Sequence, residues 1–286
     1  MFWILYAFGS AFFAGVTAIL SKIGLNQIPS TLATAIRTGV VLIFSWLLVF
    51  LTGAQNSIQD VHGATLVFLI LSGLTTGISW LCYFRALQLG EVSRVASIDK
   101  SSTVMTILLS FLILREPISW MRLLGMTGIG AGTIWMVSRS PSEDKNPERG
   151  WAYYAIASAF FASITSIFGK IGIENVDSNL GTAIRTVVVL VMAWAMVLIK
   201  GEQEQIRGID RKAGAFLLLS GIATGFSWLC FYKALQTGVV AAVVPIDKLS
   251  ILVTILFSRW LFKEKLSRKA FLGLMLIVAG TGLMIF

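Results

Sequence analysis

The chain has 286 residues, 56% of them hydrophobic and only 13% charged, with a mean hydropathy of +0.83. Soluble domains carry about 25% charged residues, so a water-soluble globular protein is excluded and an integral membrane protein is expected. The net charge of +9 reads as loop cations that set topology and meet lipid headgroups, not as a nucleic-acid footprint.

Ten apolar segments follow in chain order, each near the length of about 20 residues that crosses a bilayer. The first five are 2–24, 31–52, 64–88, 93–114 and 119–138. Their breaks carry turn and polar residues: Asn26 to Pro29, Gly53 to His62, Gly90-Glu91, and Arg115-Glu116-Pro117. The first apolar run starts at Phe2 with no basic segment before it, so a cleaved signal peptide is not expected. A polar linker over 139–150 precedes the second set: 151–172, 179–199, 212–236, 241–262 and 267–286. The predicted fold is all-α, with ten transmembrane helices.

The second half repeats the first at a fixed offset, without a gap from Trp3/Trp151 to Met136/Met284. Trp80-Leu81-Cys82 falls on Trp228-Leu229-Cys230, and Ile98-Asp99-Lys100 on Ile246-Asp247-Lys248. Close to half of the paired positions are identical, far above what shared composition gives. The units are 1–138 and 151–286. Each holds an odd number of predicted spans, so the copies must insert upside down relative to each other. Inverted repeats of this kind make a site that can be closed from either face, as carriers require.

Lys and Arg are unevenly placed. The loops after spans 1, 3, 5, 7 and 9 hold Arg94, Arg139, Lys145, Arg149, Lys200, Arg207, Arg211, Lys212, Lys263, Lys265, Arg268 and Lys269. The alternate loops hold Arg115 and Arg122. The bias puts the first set in the cytoplasm and both termini outside, in a cell (plasma or inner) membrane.

Ionisable residues inside spans cost a few kcal/mol each at depth, so each calls for a reason. Lys22, Arg37, Arg85, Asp99 and Lys100 in the first repeat match Lys170, Arg185, Lys233, Asp247 and Lys248 in the second. Helix positions group Lys22, Arg37, Asp99 and Lys100 near one face, and by inversion their counterparts near the other. The functional reading is a pair of alternating gates, each a carboxylate held by cations, with protons or an anionic substrate shifting the balance. The structural reading is an Asp99–Arg37 packing pair, with Lys22 and Arg85 snorkelling to headgroups. The substrate and gating candidates are Arg37, Asp99, Lys100, Arg185, Asp247 and Lys248.

Trp80 and Phe84, like Trp228 and Tyr232, are four apart and share a helix face. With Tyr83, Ser79 and Ser227, and with Lys22 and Lys170, they are candidate linings of a cavity for a small organic substrate; core or lipid-facing packing is the alternative. GxxxG spacing at Gly73/Gly77, Gly221/Gly225 and Gly128/Gly132 points to close helix packing. Pro245 stands before Asp247 where the first repeat has Ser97, so a kink is expected in the second copy alone.

Cys82 and Cys230 are the two cysteines, both within spans, and read as small buried apolar residues. His62, the one histidine, lies in a polar turn. No metal site or cofactor is expected, and no nucleophile–base constellation suggests an enzyme.

Both halves resemble the EamA-type domain of the drug/metabolite transporter superfamily. The resemblance rests on Trp80 to Gly90 with Ile98-Asp99-Lys100, and on Leu114-Arg115-Glu116-Pro117 with Gly125 and Gly132. In the second copy it rests on Trp228 to Gly238, Pro245 to Lys248, Phe262 to Lys265, Gly273 and Gly280. The chain looks like a fused duplicate of the short five-helix branch. The resemblance implies a ten-helix inverted-repeat carrier of small metabolites or drugs, often exporting and often proton-coupled. Glu116 and Glu264 match the family carboxylate between the last two spans and are read as loop-structure residues. Four-helix multidrug exporters of the superfamily use an embedded Glu; Arg37 and Arg185 stand in that helix here.

The expected function is secondary transport of a small organic molecule, an amino acid or organic anion being favoured, with export and proton coupling as expectations. A lipophilic-cation exporter is the alternative within transport, and a non-transporting sensor or assembly subunit the alternative outside it. The expected partners are the substrate, the bilayer and protons, with the chain acting as a monomer or homodimer.

Overall fold

A computed structural model describes residues 2–25, 28–115, 119–137, 150–173, 176–237, 240–264 and 266–284. Every long element among them is an α-helix. In chain order these are α1 Phe2–Gly24, α2 Ser30–Thr52, α3 Gly63–Leu89, α4 Val92–Leu114, α5 Trp120–Val137, α6 Trp151–Gly172, α7 Ser178–Ile199, α8 Arg211–Thr237, α9 Val240–Lys248, α10 Ser250–Leu261 and α11 Arg268–Leu283. Short 3-10 turns over Ala54–Asp60 and Glu202–Gly208 follow α2 and α7. Each begins beyond a glycine in the left-handed region, Gly53 at φ 72° and Gly201 at φ 67°. There the missing side chain removes the steric cost of a positive φ.

Seven of the described helices, α1 to α4 and α6 to α8, are long and apolar enough to cross a membrane. The predicted single span 241–262 differs from expectation: it is broken into α9 and α10 at Leu249. Pro245 sits inside α9, where it donates no backbone hydrogen bond and its ring crowds the preceding turn; the helix continues through it, and the break comes four residues further on. Three-residue bonds from Leu249 N to Ile246 O (3.0 Å) and Leu252 N to Leu249 O (2.9 Å) then bridge the break. The matching helix α4, with Ser97 at the proline position, is continuous.

Packing pairs elements from opposite halves. α1 lies on α8 and α6 on α3, the same relationship with the repeats exchanged. In both, small residues permit close approach. A Cβ at Gly24 would sit 2.6 Å from Leu217 and one at Gly172 3.0 Å from Leu69. The equivalent helices α2 and α7 also meet and run antiparallel: Lys200 Nζ donates to Thr31 Oγ1 at 2.8 Å, while Asn179 Nδ2 reaches Thr52 Oγ1 at the opposite end. The seam of α5 and α11 is glycine-built. Gly125 faces Gly280 and Gly132 faces Gly273, each so close that a Cβ would fall 2.5 to 2.6 Å from the facing carbonyl oxygen. Contacts this short bring backbones together where no hydrophobic drive separates lipid from protein. Large apolar side chains such as Ile43, Leu51, Val191 and Ile199 point outward.

Candidate functional site

The helices enclose a central cavity of about 440 Å³. Hydroxyl groups place its walls. Ser79 of α3 donates to Ser158 O at 2.9 Å and lies 3.2 Å from the Ser158 hydroxyl. Its counterpart Ser227 of α8 donates to Ser10 O at 3.1 Å and lies 3.3 Å from the Ser10 hydroxyl. Ser10 extends that chain by donating to Asp247 Oδ1 at 2.6 Å.

Each arginine is held by hydroxyls from the other repeat. Arg37 of α2 is 1% exposed. Its Nε donates to Ser220 and its Nη2 to Thr224 Oγ1 at 2.8 Å. The guanidinium lies 4.2 Å from the Phe84 ring centre and 5.8 Å from that of Trp80, within cation–π range. Its Nη1 is buried without a hydrogen-bond partner among the described residues. Arg185 of α7 mirrors this, with Nη2 donating to Thr76 Oγ1 at 3.0 Å. Thr224 and Thr76 are themselves oriented by bonds to the carbonyls of Ser220 and Ser72.

Trp80 and Trp228 meet with ring centres 5.3 Å apart. Asp99 pairs with its neighbour Lys100 at 3.2 Å.

All six substrate and gating candidates line this one cavity, as do Ser79, Trp80, Tyr83, Lys170, Ser227 and Trp228. Lys22 is not among its lining residues; its ammonium donates to the carbonyls of Leu87 and Gly90 instead. The side chain of Tyr232, the linker 139–149 and Glu116 lie outside the described residues. Residues of both expected charge clusters line this one cavity, to which helices of both repeats contribute. The expected Asp99–Arg37 pair is not formed among the described ion pairs; hydroxyls take the guanidinium and Lys100 takes the carboxylate.

The sequence reading missed Ser10, Ser158, Ser220, Thr76 and Thr224. A signal was present. Ser72, Thr76 and Ser79 recur as Ser220, Thr224 and Ser227, and Ser10 recurs as Ser158. A polar stripe retained in both copies along one helix face marks a lined interior.

The cavity is unequal at its two ends. Ser166 and Lys170 of α6, and Ile173 just beyond it, line it, Ser166 being exposed. Of their counterparts at the end of α1, Ala18 lines the cavity but is 4% exposed, while Lys22 and Leu25, the latter just beyond α1, do not line it. Leu25, Leu32, Phe84, Leu87, Val92 and Val95 pack together at that end.

The model of the EamA-like transporter family matches residues 1–138 and 149–286. A protein of Sinorhizobium sp. described as "Uncharacterized transporter in cobO 3'region" is 46% identical over 132 residues, 46% of this chain and 94% of that one. That relative is thus about the length of one repeat. "Uncharacterized transporter sll1164" of Synechocystis sp. is 24% identical over 69% of this chain and 58% of its own length. A "Probable 4-amino-4-deoxy-L-arabinose-phosphoundecaprenol flippase subunit ArnE" of Erwinia tasmaniensis is 38% identical over 25% of this chain and 61% of its own. A solved chain described only as "Crystal structure of protein" aligns with a TM-score of 0.67 over 99% of this chain and 96% of that one, at 15% identity, a likeness of fold alone.

Proposed function

The chain belongs to the EamA-like transporter family, and we propose that it is a secondary transporter of small organic molecules bearing a carboxylate or other anionic group. The carrying observation is the imbalance of charge around the chamber. Arg37, Lys100, Lys170, Arg185 and Lys248 line it against Asp99 and Asp247. An excess of cations in a space of reduced dielectric favours an anion. The buried Arg37 Nη1 offers a donor that the described protein groups leave unused, and a buried unsatisfied donor costs about 1–3 kcal/mol until something accepts from it. Trp80, Trp228, Tyr83 and Phe231 supply apolar walls for the organic part.

In this reading the units 1–138 and 151–286 lie upside down relative to each other and cross the membrane ten times, with α9 and α10 as one broken crossing. The antiparallel α2–α7 and α5–α11 seams support that arrangement, since each pairs equivalent helices. The Lys and Arg bias supports an orientation with both termini outside and the packed end of the cavity toward the cytoplasm. The two repeats rock about the chamber, closing one end as the other opens. Asp99 and Asp247 are the candidate proton carriers, and export is the favoured direction.

The test is ligand-induced thermal stabilisation of the purified protein against amino acids, organic acids and quaternary ammonium compounds. Stabilisation by carboxylate compounds that disappears in Arg37→Gln supports the reading. Stabilisation by quaternary cations alone would overturn it in favour of a cation exporter.

A further inference from the structure

The serine pair beside one carboxylate of the chamber is joined to it, and the matching pair beside the other is not. Ser79 and Ser158 link α3 to α6, and Ser227 and Ser10 link α8 to α1, by the same two contacts. Beyond them the copies part. Ser10 is fully buried and donates to Asp247 Oδ1 at 2.6 Å. Ser158 is buried as well, but its described hydroxyl contact is with Ser79, while Asp99 accepts from Lys100 at 3.2 Å.

The two settings answer a proton differently. At Asp99, protonation cancels an ion pair and leaves the Lys100 ammonium facing a neutral acid. At Asp247 the described partner is a hydroxyl, which has one donor and two acceptor positions and is free to turn. With Asp247 ionised, the Ser10 hydroxyl points to Oδ1 and the Ser227 hydroxyl to Ser10 O at 3.1 Å. When a proton from solvent adds to the carboxylate, Asp247 becomes the donor and Ser10 Oγ the acceptor. Ser10 then turns its own proton toward Ser227 Oγ, 3.3 Å away, a contact that either hydroxyl can donate. Ser227 keeps its bond to Ser10 O. One proton is gained, neither serine O–H bond is broken, and each of these buried donors has an acceptor in both states.

Few other charges face this carboxylate. Lys248 follows it on α9, and Asp99 and Lys100 of α4 line the same chamber. On α1, Tyr6 is exposed and Lys22 is tied to the carbonyls of Leu87 and Gly90. The charged residues of α8, α10 and α11 stand at exposed positions, and Cys230 of α8 packs against Gly9, next to Ser10 in the chain.

We propose that Asp247 is the one carboxylate of the chamber that exchanges a proton, and that Ser10 and Ser227 form a reversible hydroxyl relay that holds it in both states. Asp99 stays paired with Lys100 as a fixed charge. Of the two candidate proton carriers named above, only Asp247 then couples transport to a gradient, and that use of the proton rests on the transport reading.

The experiment is pH-difference infrared spectroscopy of full-length protein in lipid nanodiscs, following the carbonyl band of protonated carboxyl groups over the pH range in which the protein stays folded. Asp247→Asn is expected to remove one titrating band that Asp99→Asn retains. Ser10→Ala is expected to displace the pH midpoint of that band by about one unit. Ser10→Thr, which keeps a hydroxyl, is expected to hold the midpoint, and Ser158→Ala to move it much less than Ser10→Ala does. Should Asp247→Asn fail to fold, Asp247→Glu, which moves the band to the frequency of a glutamic acid, and Ser10→Ala decide. Loss of the band in Asp99→Asn, no band lost in either asparagine variant, or an unmoved midpoint in Ser10→Ala overturns the relay. Because no substrate is used, the titration reads the relay even if the compounds carried are not anions; a failure of the transport reading shows instead as absence of flux.

Discussion

Trp80 and Trp228 are the same residue of the two repeats, and their indole rings meet 5.3 Å apart, inclined at 43°, in the wall of the cavity. The two repeats therefore meet in the wall of the chamber, and each residue lining it can be compared with its sequence counterpart in the other repeat.

Trp80 also lies 6.4 Å from the Phe84 ring and 5.8 Å from the Arg37 guanidinium. Aromatic pairs contribute about 0.5–1.5 kcal/mol beyond burial. Trp80→Ala is expected to weaken binding of a stabilising ligand by about tenfold, and Trp80→Phe by much less. Titration calorimetry on the two variants checks this. Equal losses would mean that the ring face has no part in binding.

Arg37→Lys is expected to be a poor replacement, although it keeps the charge. An ammonium cannot reproduce the fork that reaches both Ser220 and Thr224 while leaving Nη1 for a ligand. A loss of about 1–3 kcal/mol of stability, read from the denaturation midpoint, and a drop of about tenfold or more in ligand affinity are expected together. Wild-type affinity in Arg37→Lys would show that charge alone matters at that site.

Much of this was legible in the sequence, and the boundary between what was read and what was not is physical. The repeat and the embedded Asp, Lys and Arg stand out because charge in an apolar span is costly. Seven such residues, Arg37, Asp99, Lys100, Lys170, Arg185, Asp247 and Lys248, do line one chamber. The hydroxyls that hold the arginines did not stand out, since Ser and Thr in membrane helices also bond back to their own backbone, as Thr34 and Thr38 do here. Lys22 was misplaced because its partners are carbonyls of α3, and no side-chain pattern marks a carbonyl. A kink was expected from Pro245, yet α9 runs through that residue and the interruption comes at Leu249. Nothing in the sequence marks Leu249, because the break depends on tight turns that form only in the packed helix.

The carboxylates are held differently. Asp99 faces Lys100, whereas Asp247 accepts from Ser10. Asp99→Asn removes one negative charge from a chamber already rich in cations. An anionic ligand is then expected to bind several-fold tighter and to leave more slowly. Stopped-flow dissociation rates measure this. Weaker anion binding in Asp99→Asn would place the carboxylate itself in contact with the ligand through a donor group.

The glycines of α5 and α11 separate packing from function. Gly132→Ala and Gly280→Ala would each place a Cβ 2.5 to 2.6 Å from a facing carbonyl. Each is expected to lose about 1–3 kcal/mol of stability. Gly130→Ala and Gly282→Ala, on the same helices with nothing within 4 Å, are expected to be neutral or slightly stabilising. Thermal melting of the four variants in one detergent shows whether the seam is as tight as its geometry.

The most direct test of the transporter reading is substrate-driven flux into proteoliposomes of purified protein, with internal pH followed at the same time. The challenge is a panel of amino acids, organic acids and quaternary cations. The account expects a carboxylate-bearing pool to move, and to stop moving in Arg37→Gln while that variant remains folded. Movement of quaternary cations alone, or no movement of any pool by folded protein, would contradict it.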